Sequence, residues 1–76
     1  MKLPLLSSKE LIKTLAKLGF QPARQKGSHM FFKHPDGRST LIPIHAGDKI
    51  DRGLLTKIIK KDLEIGIKDF IIIYKK

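Results

Sequence analysis

The feature that most constrains this chain is a turn. Pro35-Asp36-Gly37-Arg38 stands between two apolar runs, His29 to His34 and Ser39 to Ile44. Asp-Gly suits the positive φ angles of a tight turn, so the segment reads as a β-hairpin. With Asp36-Gly37 as a two-residue loop, Phe31 is expected opposite Ile42, Phe32 opposite Leu41, and His29 opposite Ile44. Gly27-Ser28 reads as a second turn. Pro22 to Lys26 before it reads as a short edge strand, with its proline near the start, where a missing N–H does least harm.

Helical patterns flank these strands. Ser7 followed by Glu10 has the spacing of a capping box. Leu11, Ile12, Leu15 and Leu18 then recur at helical spacing, while Lys9, Lys13 and Lys17 fall on the opposite face. Gly19 stands where a helix end favours a left-handed residue. A first helix is therefore expected from about Ser8 to Leu18, with Phe20 folding back onto it. His45 to Lys49 reads as a loop. A second helix is expected from near Asp51, with Leu54, Leu55, Ile58, Ile59 and Leu63 as its apolar stripe. After Gly66 the run Ile67 to Tyr74 is open to two readings, a strand or a last helical turn. The order α-β-β-β-α plus this tail indicates an α+β fold. A three-stranded antiparallel sheet with helices packed on one face buries all the apolar stripes together. At 76 residues the chain is expected to form a single domain, residues 1–76.

Charge narrows the function. Sixteen basic residues against seven acidic ones give a net charge of +9, which attracts polyanions: nucleic acid, an acidic protein or an anionic membrane. The chain has no cysteine, which excludes disulfides and thiolate metal sites. MKLPLLSSKE is too short an apolar patch for a signal peptide, and no run approaches a membrane span. A cytoplasmic protein with no membrane association is expected. No P-loop, dinucleotide fingerprint or acid/base pair is evident. His29 and His34 are five residues apart on a strand and so point to opposite faces, which argues against a shared metal site.

His29 is the candidate for chemistry. Imidazole titrates near neutral pH, so it can take a proton from a 2′-hydroxyl or give one to a leaving oxygen. RNA cleavage needs little more, because RNA carries its own nucleophile beside the phosphate. Between Glu10 and Asp36 the chain has no acidic residue, while Lys13, Lys17, Arg24, Lys26 and Lys33 lie there. Gly27 lets a phosphate approach the backbone, and Ser28 offers a hydroxyl. The blander reading makes His29 an ordinary strand-end residue and the lysines a solvated surface. Of Phe31 and Phe32 at least one must face the helices, so only the other is available for base stacking or a protein partner.

The combination resembles the HicA toxin family. The resemblance rests on Lys26-Gly27-Ser28-His29 running into Met30-Phe31-Phe32, on Ile42-Pro43-Ile44-His45, and on Gly53-Leu54-Leu55 followed by Lys57-Ile58-Ile59-Lys60. It implies a fold similar to the double-stranded-RNA-binding domain. It also implies a ribonuclease toxin that cleaves mRNA without a metal or other cofactor, using His29. Arg24, Lys26, Gly27, Ser28 and Lys33 are then the expected RNA contacts. The expected partners are mRNA and a HicB-like antitoxin, with operator DNA met only through the antitoxin complex. His45 fits the family pattern without a catalytic role. The tail departs from it, with Gly66 at the cap position and Lys68 where an acid is common. The alternative is a non-catalytic RNA-binding module of the same fold.

Overall fold

A computed structural model describes residues 3–44 and 49–76. The elements follow in the order α1 (Ser8–Lys17), β1 (Gln21–Lys26), β2 (His29–Lys33), β3 (Ser39–Pro43), α2 (Arg52–Lys57), a π-helical turn (Ile58–Asp62) and α3 (Ile67–Lys75). The strands form one antiparallel sheet in the order β1-β2-β3. This is the α+β architecture and the α-β-β-β-α order expected from the sequence. Among the described residues no helix is long and apolar enough to cross a membrane.

Helix α1 begins with the capping box that Ser7 and Glu10 announce. The Ser7 hydroxyl accepts from the Glu10 N–H at 3.2 Å, and a Glu10 carboxylate oxygen accepts from the Ser7 N–H at 2.9 Å. Two amide groups that a helix start leaves orphaned are thereby satisfied. The Ser7 backbone N–H, then the Ser7 hydroxyl, then Lys49 hold the Glu10 carboxyl below its ordinary range. Gly19, at φ +96°, makes the left-handed exit. Ser8 is buried at the other end, and its hydroxyl donates to the Pro43 carbonyl at 2.6 Å, which pins α1 to β3.

The sheet has two unlike faces. On one, Phe32, Thr40 and Ile42 are buried and join a single core with Leu11 and Leu15 of α1, Leu55 of α2, Ile58 and Ile59 of the π turn, and Phe70 and Ile71 of α3. The buried Thr40 hydroxyl donates to Asp62 at 2.9 Å, so the polar group costs the core little. Leu3 and Leu6 ahead of α1 also enter the core. Their segment is held by the Ile50 N–H to the Leu6 carbonyl and by the Arg52 guanidinium to the Leu3 carbonyl. Neither helical spacing nor strand alternation marks this apolar start as core in the sequence.

The β2–β3 register differs from the expected one by a residue. The pairs are His29 with Pro43, Met30 with Ile42, Phe31 with Leu41, Phe32 with Thr40 and Lys33 with Ser39. The loop has three residues, Pro35 to Gly37. It is closed by the His34 N–H to the Arg38 carbonyl at 2.8 Å and the Gly37 N–H to the His34 carbonyl at 2.9 Å. Gly37 takes φ +101° at its third position, the pattern of a turn followed by a one-residue bulge. Glycine serves either loop length, so Asp-Gly marked the hairpin without setting its register. The Gly27-Ser28 loop does have two residues, with Lys26 opposite His29. Gly27 supplies positive φ (+58°) at its first position only, as a type II′ turn requires.

The open question of the tail resolves to a helix. Ile67, Phe70, Ile71 and Tyr74 recur at helical spacing along α3, and all four meet the core. That burial outweighs the strand propensity of three consecutive isoleucines. Gly66 caps α3 without a side-chain hydrogen bond. Asp51 caps α2, its carboxylate accepting from the Leu54 N–H at 3.2 Å. Beyond Lys57 the helix widens, and the Leu63 N–H reaches back five residues to the Ile58 carbonyl at 2.9 Å. Glu64 then takes a left-handed φ of 56°, and the Ile65 N–H closes onto the Ile59 carbonyl, six residues back, at 3.3 Å.

Candidate functional site

Strand parity sorts the candidate residues. On the face away from the helices, one row across the strands holds Lys26, His29 and Pro43, and the next holds Arg24, Phe31 and Leu41. A further row brings Lys33 opposite Gln21 and Ser39. The β1–β2 pairing slips by one residue between Pro22 and Arg24, which keeps Arg24 in line with Phe31. Arg24, Lys26, His29, Phe31 and Leu41 together line a basin of about 390 Å³.

The basin has an apolar floor and cationic walls. Leu41 is 50% exposed, and Phe31 is partly buried yet takes no part in the core. Arg24, Lys26 and Lys33 are exposed. None of the three strands carries an acidic residue. The Lys33 ammonium lies 6.0 Å from the centre of the Phe31 ring, the outer reach of a cation–π contact.

His29 opens the central strand at the head of this basin. It is exposed, and among the described residues no group makes a hydrogen bond or ion pair with its imidazole. Neither ring nitrogen is engaged by any of the described residues. The turn before it is fixed by backbone: the Ser28 carbonyl accepts from the Ile44 N–H at 2.5 Å, and Gly27 makes the positive-φ bend. A Cβ at Gly27 would meet nothing within 4 Å, so this corner stands open to solvent.

His34 is a different kind of histidine. Its Nε2 donates to the Leu18 carbonyl at 3.1 Å, its Nδ1 accepts from the Asp36 N–H at 3.1 Å, and its ring meets Phe20 edge-on at 5.0 Å. It joins the end of α1 to the β2–β3 loop. Asp36 Oδ1 lies 3.0 Å from the same Nδ1, an ion pair when the ring is protonated. The Arg38 N–H, followed by the Arg38 guanidinium and His34, holds the Asp36 carboxyl below its ordinary range. Arg38 also donates to the Leu63 carbonyl and stacks its guanidinium 5.2 Å from the Phe20 ring. His45 lies outside the described residues. Among those described, no three metal-ligating side chains converge.

The structure thus brings Arg24, Lys26 and His29 into one basin, puts Lys33 one row along the same face, and sets Gly27 and Ser28 at its corner. Leu41 was absent from the sequence candidates. The one-residue register slip had paired it with Phe32, on the other face. The alternation Thr40, Leu41, Ile42 alone could have placed it outward.

Fold and surface define a small α-β-β-β-α protein that carries a histidine and a cluster of cations on the open face of its sheet. The sequence matches the family described as "HicA toxin of bacterial toxin-antitoxin" over residues 8–65. The chain belongs to the HicA toxin family, and so to the toxins of toxin–antitoxin systems. No curated protein matched the chain.

Proposed function

We propose that this chain is a ribonuclease toxin that cleaves mRNA at the outer face of its sheet, with His29 as its catalytic residue. The observation that carries the reading is a solvent-open imidazole without a partner among the described residues, at the head of a basin walled by Arg24 and Lys26. Family membership supports it. His29 takes the proton from the 2′-hydroxyl as that oxygen attacks the adjacent phosphorus. The 2′-O–P bond forms, the P–O5′ bond breaks, and the departing 5′-oxygen takes a proton from water. The products are a 2′,3′-cyclic phosphate and a 5′-hydroxyl. Arg24 and Lys26 hold the phosphate and offset the charge that builds on it. Lys33, Gly27 and Ser28 extend the RNA contact.

A HicB-like antitoxin would neutralise the toxin by covering this face, in the cytoplasm, and operator DNA would be met only through that complex. The test is induced expression of wild type beside His29→Ala, with growth and total RNA followed together and RNA ends typed. Wild type is expected to arrest growth and leave cyclic-phosphate ends. His29→Ala is expected to lose about 10²–10⁴-fold in cleavage rate while melting like wild type. A folded His29→Ala protein that cleaves at full rate overturns the assignment. Tight, salt-dependent RNA binding with no cleavage by wild type would instead establish the non-catalytic binding module.

A further inference from the structure

We propose that the outer sheet face is a platform for unpaired RNA, on which a nucleobase stacks against the Phe31 ring beside the phosphate held at His29. This rests on the ribonuclease reading and deepens it: the substrate is single-stranded RNA. The starting observation is the unequal treatment of two neighbouring phenylalanines. Phe32 is 1% exposed at the centre of the core, whereas Phe31 faces outward and contributes nothing to the core. Leu41, its cross-strand partner, is half exposed beside it. The fold keeps an apolar surface in water at a position where a polar residue would cost the core nothing.

The surroundings select the occupant. Arg24 stands opposite Phe31 on β1, Lys26 stands one row away beside His29, and Lys33 reaches over the ring from the other side. With no acidic residue on any of the three strands, the apolar floor is ringed by one sign of charge. That suits a ligand that is flat and apolar in one part and anionic in the next, which is a nucleotide strand. The two rows are two residues apart on β2, a rise of about 7 Å, so a base over Phe31 leaves its phosphate within reach of the His29 row. In a duplex the base faces are occupied by their own neighbours, so only an unpaired base can stack on the ring.

The chain has no tryptophan, so Phe31→Trp places its one tryptophan in the platform, excited selectively beyond the absorption of Tyr74. The experiment uses His29→Ala protein carrying Phe31→Trp, titrated with a short single-stranded oligouridylate or with an RNA duplex of equal length. Anisotropy of labelled RNA reports binding independently. Single-stranded RNA is expected to quench the tryptophan along the same isotherm as the anisotropy, and duplex is expected to bind without quenching. In the His29→Ala background, Phe31→Leu is expected to weaken single-strand binding roughly 5- to 150-fold, the worth of about one stacked base. Phe31→Tyr is expected to restore it. The loss should be equal at low and high salt, because stacking releases no counterions, whereas Lys26→Ala should lower the salt slope by about one.

Binding without quenching, equal quenching by duplex, or unchanged affinity in Phe31→Leu overturns the platform. So does a face that binds an acidic protein partner and no RNA. Wild type that binds and stacks single strands yet never cuts them refutes the ribonuclease reading and leaves the platform standing.

Discussion

Replacing His34 by alanine should cost the fold far more than replacing His29, although both are histidines of the same hairpin. Three interactions converge on His34. Hydrogen bonds of 3.1 Å run to the Leu18 carbonyl and from the Asp36 N–H, and the ring meets Phe20 edge-on at 5.0 Å. A neutral hydrogen bond is worth about 0.5–1.5 kcal/mol net, and an edge-to-face aromatic pair a similar amount. Water reaches the freed groups in part, so about 2–3 kcal/mol is the expected loss. A chain of this size has on the order of 4–11 kcal/mol of total stability. The melting temperature should fall by roughly 10–20 °C. The assay is urea and thermal unfolding of wild type, His34→Ala and His29→Ala followed by circular dichroism. His29, without a partner among the described residues, should shift stability by less than about 0.5 kcal/mol. A His34→Ala protein that unfolds with wild type, or a His29→Ala protein that loses as much, would refute this division of roles.

Two further expectations follow from backbone and charge. Glu64 is held at φ 56°, where a side chain is strained, so Glu64→Gly should raise stability by roughly 0.5–1 kcal/mol despite the freer unfolded chain; an unchanged or lower urea midpoint would count against the strain. The Glu10 carboxyl titrates below the ordinary 4.5 because the Ser7 amide, the Ser7 hydroxyl and Lys49 favour its charged form. Its contribution is therefore present above about pH 4.5 and is lost as pH falls through the lower folded-state value. Glu10→Gln should flatten the acid side of the stability profile, and parallel profiles for the two proteins would disprove the linkage.

Much of the fold was legible because several residues carried signals with a single meaning. Ser7 and Glu10 specify a capping box whatever lies beyond them, and Asp51 with the Leu54–Leu63 stripe specifies the second helix start. Asp36-Gly37 was ambiguous in the one respect that mattered for the face of Leu41. The loop length is decided by the His34 N–H reaching Arg38, and by the Arg38 N–H and guanidinium gripping the Asp36 carboxylate, contacts that exist only once the loop is closed. The tail was ambiguous because isoleucine favours strands locally, while its helical spacing pays off only against a core already assembled. Basic residues around His29 were visible in the sequence. Which of Phe31 and Phe32 joined them depended on where the helices lay.

The π turn has a geometric consequence for the second half of the chain. Each residue of a helix turns the next by about 100°. A turn that spans five residues where four would do holds one residue in excess, and everything after it is rotated by that amount. Leu63 reaches the core, and its carbonyl reaches Arg38, only in this phase. The surplus residue acts as a gear tooth: a regular helix through the same residues would swing Leu63, the Glu64 exit and the whole of α3 about 100° off their seats, whereas deleting one position between Ile58 and Asp62 should restore a regular helix and leave them in place.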